Sequence, residues 1–261
     1  MQTQLIETTV ADQVGTITMT HTDKLNVLSK EITEQIILSL TQFQTQKLRT
    51  VILRAPKGAK CWSAGHDVRE LPTTGDDPLA WNDSVQKIIR HIIEFPAPVI
   101  ALVEGGVWGG GCELALSCDL IVAASNATFA LTPARLGVPY NITGLLHFMN
   151  AVPYSVLKEM IYTAQPISAE RALSLGIINY IAPSETFEEI AENLAQKIAR
   201  NAPLAVAAMK SSLRILAGAH SISPAAFERL QGLRRQVWDS ADYKEGVNAF
   251  LEKRLPNFRG E

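Results

Sequence analysis

Apolar positions along the chain switch between two spacings. From residue 5 to 19 they alternate with polar ones, so TITM (16–19) reads as a strand, with a turn at Gly15. Ile32, Ile36, Ile37, Leu40 and Phe43 then recur at helical spacing. Ser29 can cap that helix, and Glu31 suits its positively polarised first turn. Val51 to Leu53 reads as a short buried strand, and residues 56–78 as loop, rich in Gly, Pro, Asp and Thr. Helical spacing returns over 79–94 and is stopped by Pro96 and Pro98. VIALV (99–103) is another buried strand, the glycine-rich run after it opens a helix, and DLIVAA (119–124) is again a strand.

Strand alternating with helix predicts an α/β fold with parallel pairing. Beyond about residue 150 the segments 154–164, 168–175, 185–200, 204–218, 222–238 and 241–252 all read as helical, and only INYI (178–181) as a strand. The expected organisation is an α/β core over residues 1–200 and a helical C-terminal region over 201–261. That region can pack on its own core or on a partner subunit.

Composition narrows the function. With 24 Lys and Arg against 26 Asp and Glu, the net charge of -2 gives no basic footprint for nucleic acid. The three cysteines, Cys61, Cys112 and Cys118, form no C-x-x-C, and the histidines form no H-E-x-x-H, so neither a disulfide framework nor a metal site is expected. No apolar run reaches the roughly 18 residues of a membrane span. MQTQLIETTV lacks a secretory pattern. The expectation is a soluble cytoplasmic protein without membrane or nucleic-acid partners.

The chemistry concentrates in two stretches. EGGVWGGGCE (104–113) holds five glycines in ten residues. It is not a phosphate loop, because no lysine follows, and it fails G-x-G-x-x-G because Leu114 stands where the third glycine belongs. Two readings stay open: close helix–strand packing, or backbone N–H groups presented to developing negative charge. CWSAGHDVREL (61–71) is a second small-residue backbone after a strand. Two such loops can offer two N–H groups to one oxygen. His66 enters this reading through its backbone N–H, not its ring.

SAGHD and WGGGCELALSCDLIVAA together resemble the crotonase (enoyl-CoA hydratase/isomerase) superfamily. KLNVLSK, AERALSLGIIN and FLEKRLPNF extend the likeness over nearly the whole chain. The resemblance implies a spiral of repeated ββα turns and a helical region used for trimerisation, giving a homotrimer or a dimer of trimers. It implies an acyl-CoA substrate, whose coenzyme A is part of the substrate and not a cofactor. His66 and Gly110 would supply the two N–H groups that hold the thioester oxygen. Ala64, Gly65, His66, Asp67 and Val68 would cradle CoA, with Lys24, Leu25, Thr132 and Lys253 as further binding residues.

Hydratases of this family use two glutamates. Glu113 matches the first. The stretch corresponding to the second is TPARLGVPYN, and no Asp or Glu occurs between Asp119 and Glu159. Tyr140 stands in that stretch instead. Two carboxylates would repel a malonyl-type substrate, whereas a neutral tyrosine donates a hydrogen bond to it. AGHDVRELP, VEGGVWGG, RLQGLRR and YKEGVNAFLEKR likewise resemble the decarboxylating branch of the family. The expected reaction is loss of CO2 through a thioester enolate, with Tyr140 and Glu113 beside His66 and Gly110. A hydratase or isomerase, and a non-catalytic acyl-CoA-binding oligomer, are the alternatives.

Overall fold

The computed structural model describes residues 4–72, 75–218 and 223–260. β1 (Ile6–Ala11) and β2 (Val14–Met19) form an antiparallel hairpin. Its turn is Asp12–Gln13, with φ of 48° and 67°, the left-handed pair that a two-residue hairpin loop requires. The turn expected at Gly15 is therefore displaced. Gly15 sits inside β2, where a Cβ would come within 2.5 Å of the Phe43 ring. Ser29 caps α1 (Lys30–Thr45) as expected, and Ile32, Ile36, Leu40 and Phe43 are buried.

The chain then repeats one unit: a longer strand, a short strand, a helix. The first unit is β3 (Thr50–Arg54), β4 (Cys61–Ser63) and α2 (Ser84–Glu94). The second is β5 (Val99–Val103), β6 (Gly106–Trp108) and α3 (Gly110–Leu116). The third begins with β7 (Leu120–Ala124) and β8 (Thr128–Ala130), passes a 3-10 turn at Pro133–Leu136, and continues into α4 (Ile142–Ala151) and α5 (Tyr154–Thr163). After β9 (Ile167–Ser168), α6 (Ala169–Ser174) and β10 (Tyr180–Ala182), only helices follow: α7 (Phe187–Ala199), α8 (Pro203–Ala217), α9 (Pro224–Trp238) and α10 (Ala241–Leu251).

Long and short strands form separate sheets. The larger is ordered β1-β2-β3-β5-β7-β10, parallel from β2 onward, and the smaller β4-β6-β8-β9. This is the expected spiral of ββα turns. Side chains alternate across the larger sheet. Ile52, Ile100 and Val122 meet Ala191, Ala195 and Ala199 of α7, whose small side chains repeat every four residues. Val51, Leu53, Val99 and Ala101 face the main core between the sheets. The helix expected over 79–94 starts at Ser84, because Asp83 caps it by accepting from Val85 N and Gln86 N. INYI shifts to Tyr180–Ala182, and β9 adds a strand in the half expected to be otherwise helical.

α8 has no buried residue, yet Lys210 anchors it. The ammonium donates to Ile92 O at 3.1 Å and Ala97 O at 3.0 Å, and lies 2.7 Å from Asp119 Oδ2. α10 packs directly on the 3-10 turn: a Cβ on Gly246 would lie 2.4 Å from Leu136 O. Among the described residues, no helix is long and apolar enough to cross a membrane.

Candidate active site

β4 and β6 are adjacent parallel strands, with Cys61 opposite Gly106 and Ser63 opposite Val107. Each ends in a loop of small residues, so the two loops leave the sheet side by side. At Gly65 (φ +90°) a Cβ would lie 2.6 Å from Trp108 O and 2.8 Å from Gly110 N. At Gly110 it would lie 2.6 Å from His66 Nδ1 and 3.4 Å from His66 N. Neither contact has room for a side chain, and the backbone nitrogens of 66 and 110 are brought together as a result. Gly110 opens α3, so its N–H has no acceptor within the helix. The loop after β4 is tied to residues 25–28 through Leu28 N to Gly65 O (2.7 Å) and Ala64 N to Leu25 O (2.9 Å).

These loops open onto a cavity of about 960 Å³. Of the residues singled out from sequence, Lys24, Leu25, Ala64, His66, Asp67, Val68, Gly110, Thr132 and Lys253 all border it. Gly65 is not on its lining but backs the loop from behind. The wall is mostly apolar, with Leu71, Leu79, Leu136 and Phe250 among its residues, and Arg69 and Arg135 join the two lysines. Asp67 is held below the usual carboxylate range, first by its side-chain hydrogen bond from Arg69. An apolar cavity with cations on its lining suits a ligand that has a flexible apolar arm and phosphates.

Glu113 and Tyr140 do not border that cavity; both are buried behind it. Glu113 lies one turn beyond Gly110, and Tyr140 two residues beyond Val138, which is part of the lining. Gln86 Nε2 donates to Glu113 Oε1 at 3.0 Å. Glu113 Oε2 and the Tyr140 hydroxyl have no hydrogen-bond partner among the described residues. Burial raises the Glu113 pKa, and burial together with the Glu113 charge raises that of Tyr140. Two buried polar groups without partners among the described residues call for an explanation, and both stand behind the cavity wall.

The His66 ring has its own partner, Asp83 Oδ1, at 2.9 Å from Nε2. Burial opposes ionisation of Asp83, yet His66 and the backbone N–H groups of Val85 and Gln86 hold its pKa below the usual range. The first turn of α2 therefore grips both sides of the site: Asp83 holds His66, and Gln86 holds Glu113. Neither was singled out from sequence. Asp83 had a legible signal as a helix cap; Gln86 had none.

A model of the enoyl-CoA hydratase/isomerase family matches residues 9–261. The chain belongs to that family. It is 46% identical over 260 residues to a methylmalonyl-CoA decarboxylase of Escherichia coli K12, covering 100% of both chains. It is 32% identical to a probable enoyl-CoA hydratase of Bacillus subtilis 168, covering 96% of this chain and 97% of that one. A crystal structure of methylmalonyl-CoA decarboxylase complexed with 2S-carboxypropyl-CoA superimposes with a TM-score of 0.97 at 46% identity, over 100% of both chains.

The buried Glu113 has a consequence for stability. Its folded pKa is raised, so below the unfolded value of about 4.5 both states are protonated and the group costs nothing. Above that value the unfolded chain releases the proton first, and stability falls until the folded pKa is reached. Glu113→Gln removes this titration. Urea unfolding at pH 5 and pH 8 should show wild type losing more stability across the interval than the variant. Equal losses would contradict a raised Glu113 pKa in the folded state.

Proposed function

We propose that the protein decarboxylates methylmalonyl-CoA to propionyl-CoA. The observation that carries this reading is the Tyr140 hydroxyl: buried, without a hydrogen-bond partner among the described residues, and in the segment that resembles the one where a hydratase keeps its second carboxylate. Support comes from the relative named for that reaction and from the solved structure whose ligand name carries a carboxylate.

The thioester oxygen accepts from the N–H groups of His66 and Gly110. The apolar wall holds the pantetheine arm, Ala64, Gly65, Asp67 and Val68 shape its cradle, and Thr132 faces the acyl end. Lys24, Leu25 and Lys253 meet the nucleotide end. Tyr140 donates to the substrate carboxylate and turns its C–C bond perpendicular to the thioester plane. That bond breaks, CO2 leaves, and the electron pair becomes an enolate stabilised by the two N–H groups. A proton then adds to the α-carbon and gives the thioester product. Removing the carboxylate from water on entry favours loss of its charge. The thioester carbonyl accepts the electron pair itself, so coenzyme A enters as part of the substrate and the step calls on no separate cofactor.

A second reading, hydration of an enoyl-CoA, draws on Glu113, whose Oε2 is also unpaired. The loss of the second carboxylate disfavours it, since hydration must move a proton to or from water at two positions.

The protein is also proposed to act in the cytoplasm as a homotrimer or dimer of trimers. Leu204, Met209, Leu213, Ile215 and Leu216 of α8 are all strongly exposed, as are Phe227 and Leu233 of α9. Such a surface favours burial against another copy. Light scattering should give the mass of three or six chains; a monomer at micromolar concentration contradicts it.

Two sets of variants test the chemistry. Gly110→Pro removes one N–H at a helix position that accepts proline, whereas Gly110→Ala keeps the N–H and brings the same crowding of His66. The folded proline variant should turn over about 100- to 1000-fold more slowly than wild type, well below alanine. Equal rates would remove Gly110 N–H from the mechanism. On methylmalonyl-CoA, Tyr140→Phe should cost about 10- to 100-fold, the value of a hydrogen bond to a charged group, and Glu113→Gln less. The reverse order, with crotonyl-CoA as the substrate turned over, selects the hydratase.

A further inference from the structure

A tyrosine hydroxyl with no protein hydrogen bond cannot fix its own position. The ring and the backbone beneath it must do so. The Tyr140 ring is held edge-on by Phe148, with centroids 4.9 Å apart and planes at 78°. Its backbone lies between the 3-10 turn and α4, outside any ladder. The group that holds it comes from α9, 94 residues away: Arg234 Nε donates to Tyr140 O at 3.0 Å.

Arg234 is 7% exposed, an unusual place for a guanidinium. Burying this charge is costly unless every arm is paired, and here every arm is. Nη1 donates to Gln231 Oε1 at 3.0 Å and Nη2 to Asp77 Oδ1 at 2.5 Å, and the guanidinium carbon lies 5.0 Å from the centre of the Trp238 ring. The contacts close into a loop. Asp77 Oδ1 also accepts from Leu79 N at 3.0 Å. Leu79 O accepts from Asn141 Nδ2 at 3.0 Å, and Asn141 adjoins Tyr140 and caps α4 through Gly144 N at 2.6 Å. Leu79 borders the cavity. The ring therefore runs from Arg234 through Tyr140 and Asn141, across Leu79 and Asp77, and back to Arg234.

We propose that Arg234 is a positioning residue for Tyr140. Through this loop it sets where the phenol stands relative to the oxyanion donors, and its bidentate reach to Tyr140 O and Asp77 cannot be reproduced by lysine. The proposal rests on the reading of Tyr140 as the group that orients the departing carboxylate. It also assigns a role within RLQGLRR, the C-terminal motif that contains Arg234 and supplies none of the residues that line the cavity.

The test is a double-mutant cycle. Arg234→Lys should lower kcat on methylmalonyl-CoA about tenfold, since small misplacement of a reacting group is costly, and leave KM within about twofold. In a Tyr140→Phe background the same change should lose less than about twofold, because the hydroxyl it serves is already gone. Asp77→Asn, which opens the loop at its other end, should show the same pattern more weakly, and stands in if Arg234→Lys fails to fold. A cooperatively folded Arg234→Lys with wild-type kcat, or an equal loss in both backgrounds, overturns the proposal. A wild-type protein that releases no CO2 from methylmalonyl-CoA overturns the functional reading instead.

Discussion

Everything in this site depends on two backbones lying closer than side chains permit. Parallel pairing of β4 with β6 sets the two loops about 4.8 Å apart. The glycines at 65 and 110 then remove the Cβ atoms that would force them apart. Gly111 repeats the constraint, since a Cβ there would lie 2.7 Å from Ser63 O. The density of glycine in EGGVWGGGCE follows from this approach. The two readings left open by the sequence are compatible: the close packing brings the backbone nitrogens of His66 and Gly110 near one another, as the proposed oxyanion role requires.

The rest of the fold holds that arrangement from outside. α2 fastens His66 through Asp83 and Glu113 through Gln86. α10 presses on the 3-10 turn at Leu136, and α9 sends Arg234 to the backbone of Tyr140. The proposed oxyanion donors are main-chain groups, and main chain can be positioned only by its neighbours. The charge balance of the site follows the same logic. Behind the donors stand a tyrosine and a glutamate whose burial favours their neutral forms. In the proposed reaction an anionic acyl group would meet hydrogen-bond donors there without facing a pair of carboxylates.

Much of this was legible in the sequence, and the parts that were not share a cause. The longer strands and the helices carry their own periodicity, so β3, β5, β7, α1 and α7 were read close to their observed places. The two small-residue loops announced themselves by composition. The smaller sheet did not, because β4, β6 and β8 have three residues each, too few to show a period, and β6 lies inside the glycine run. The hairpin turn was misplaced because glycine is the usual sign of left-handed backbone, whereas here Asp12 and Gln13 adopt it. α4 (Ile142–Ala151) was not assigned from the sequence. Asp83, Gln86 and Arg234 act on residues 17, 27 and 94 positions away, and such pairings exist only once the chain has folded.

The central claim is that carbon–carbon cleavage itself generates the enolate, with no base removing a proton first. Turnover of methylmalonyl-CoA in heavy water, followed by the mass of the thioester product, tests it most directly. Cleavage without prior proton loss predicts propionyl-CoA carrying one deuterium at the α-carbon and one CO2 per turnover. Product carrying two deuteriums at the α-carbon, beyond the exchange that methylmalonyl-CoA undergoes without protein, would show a proton removed before cleavage and contradict it.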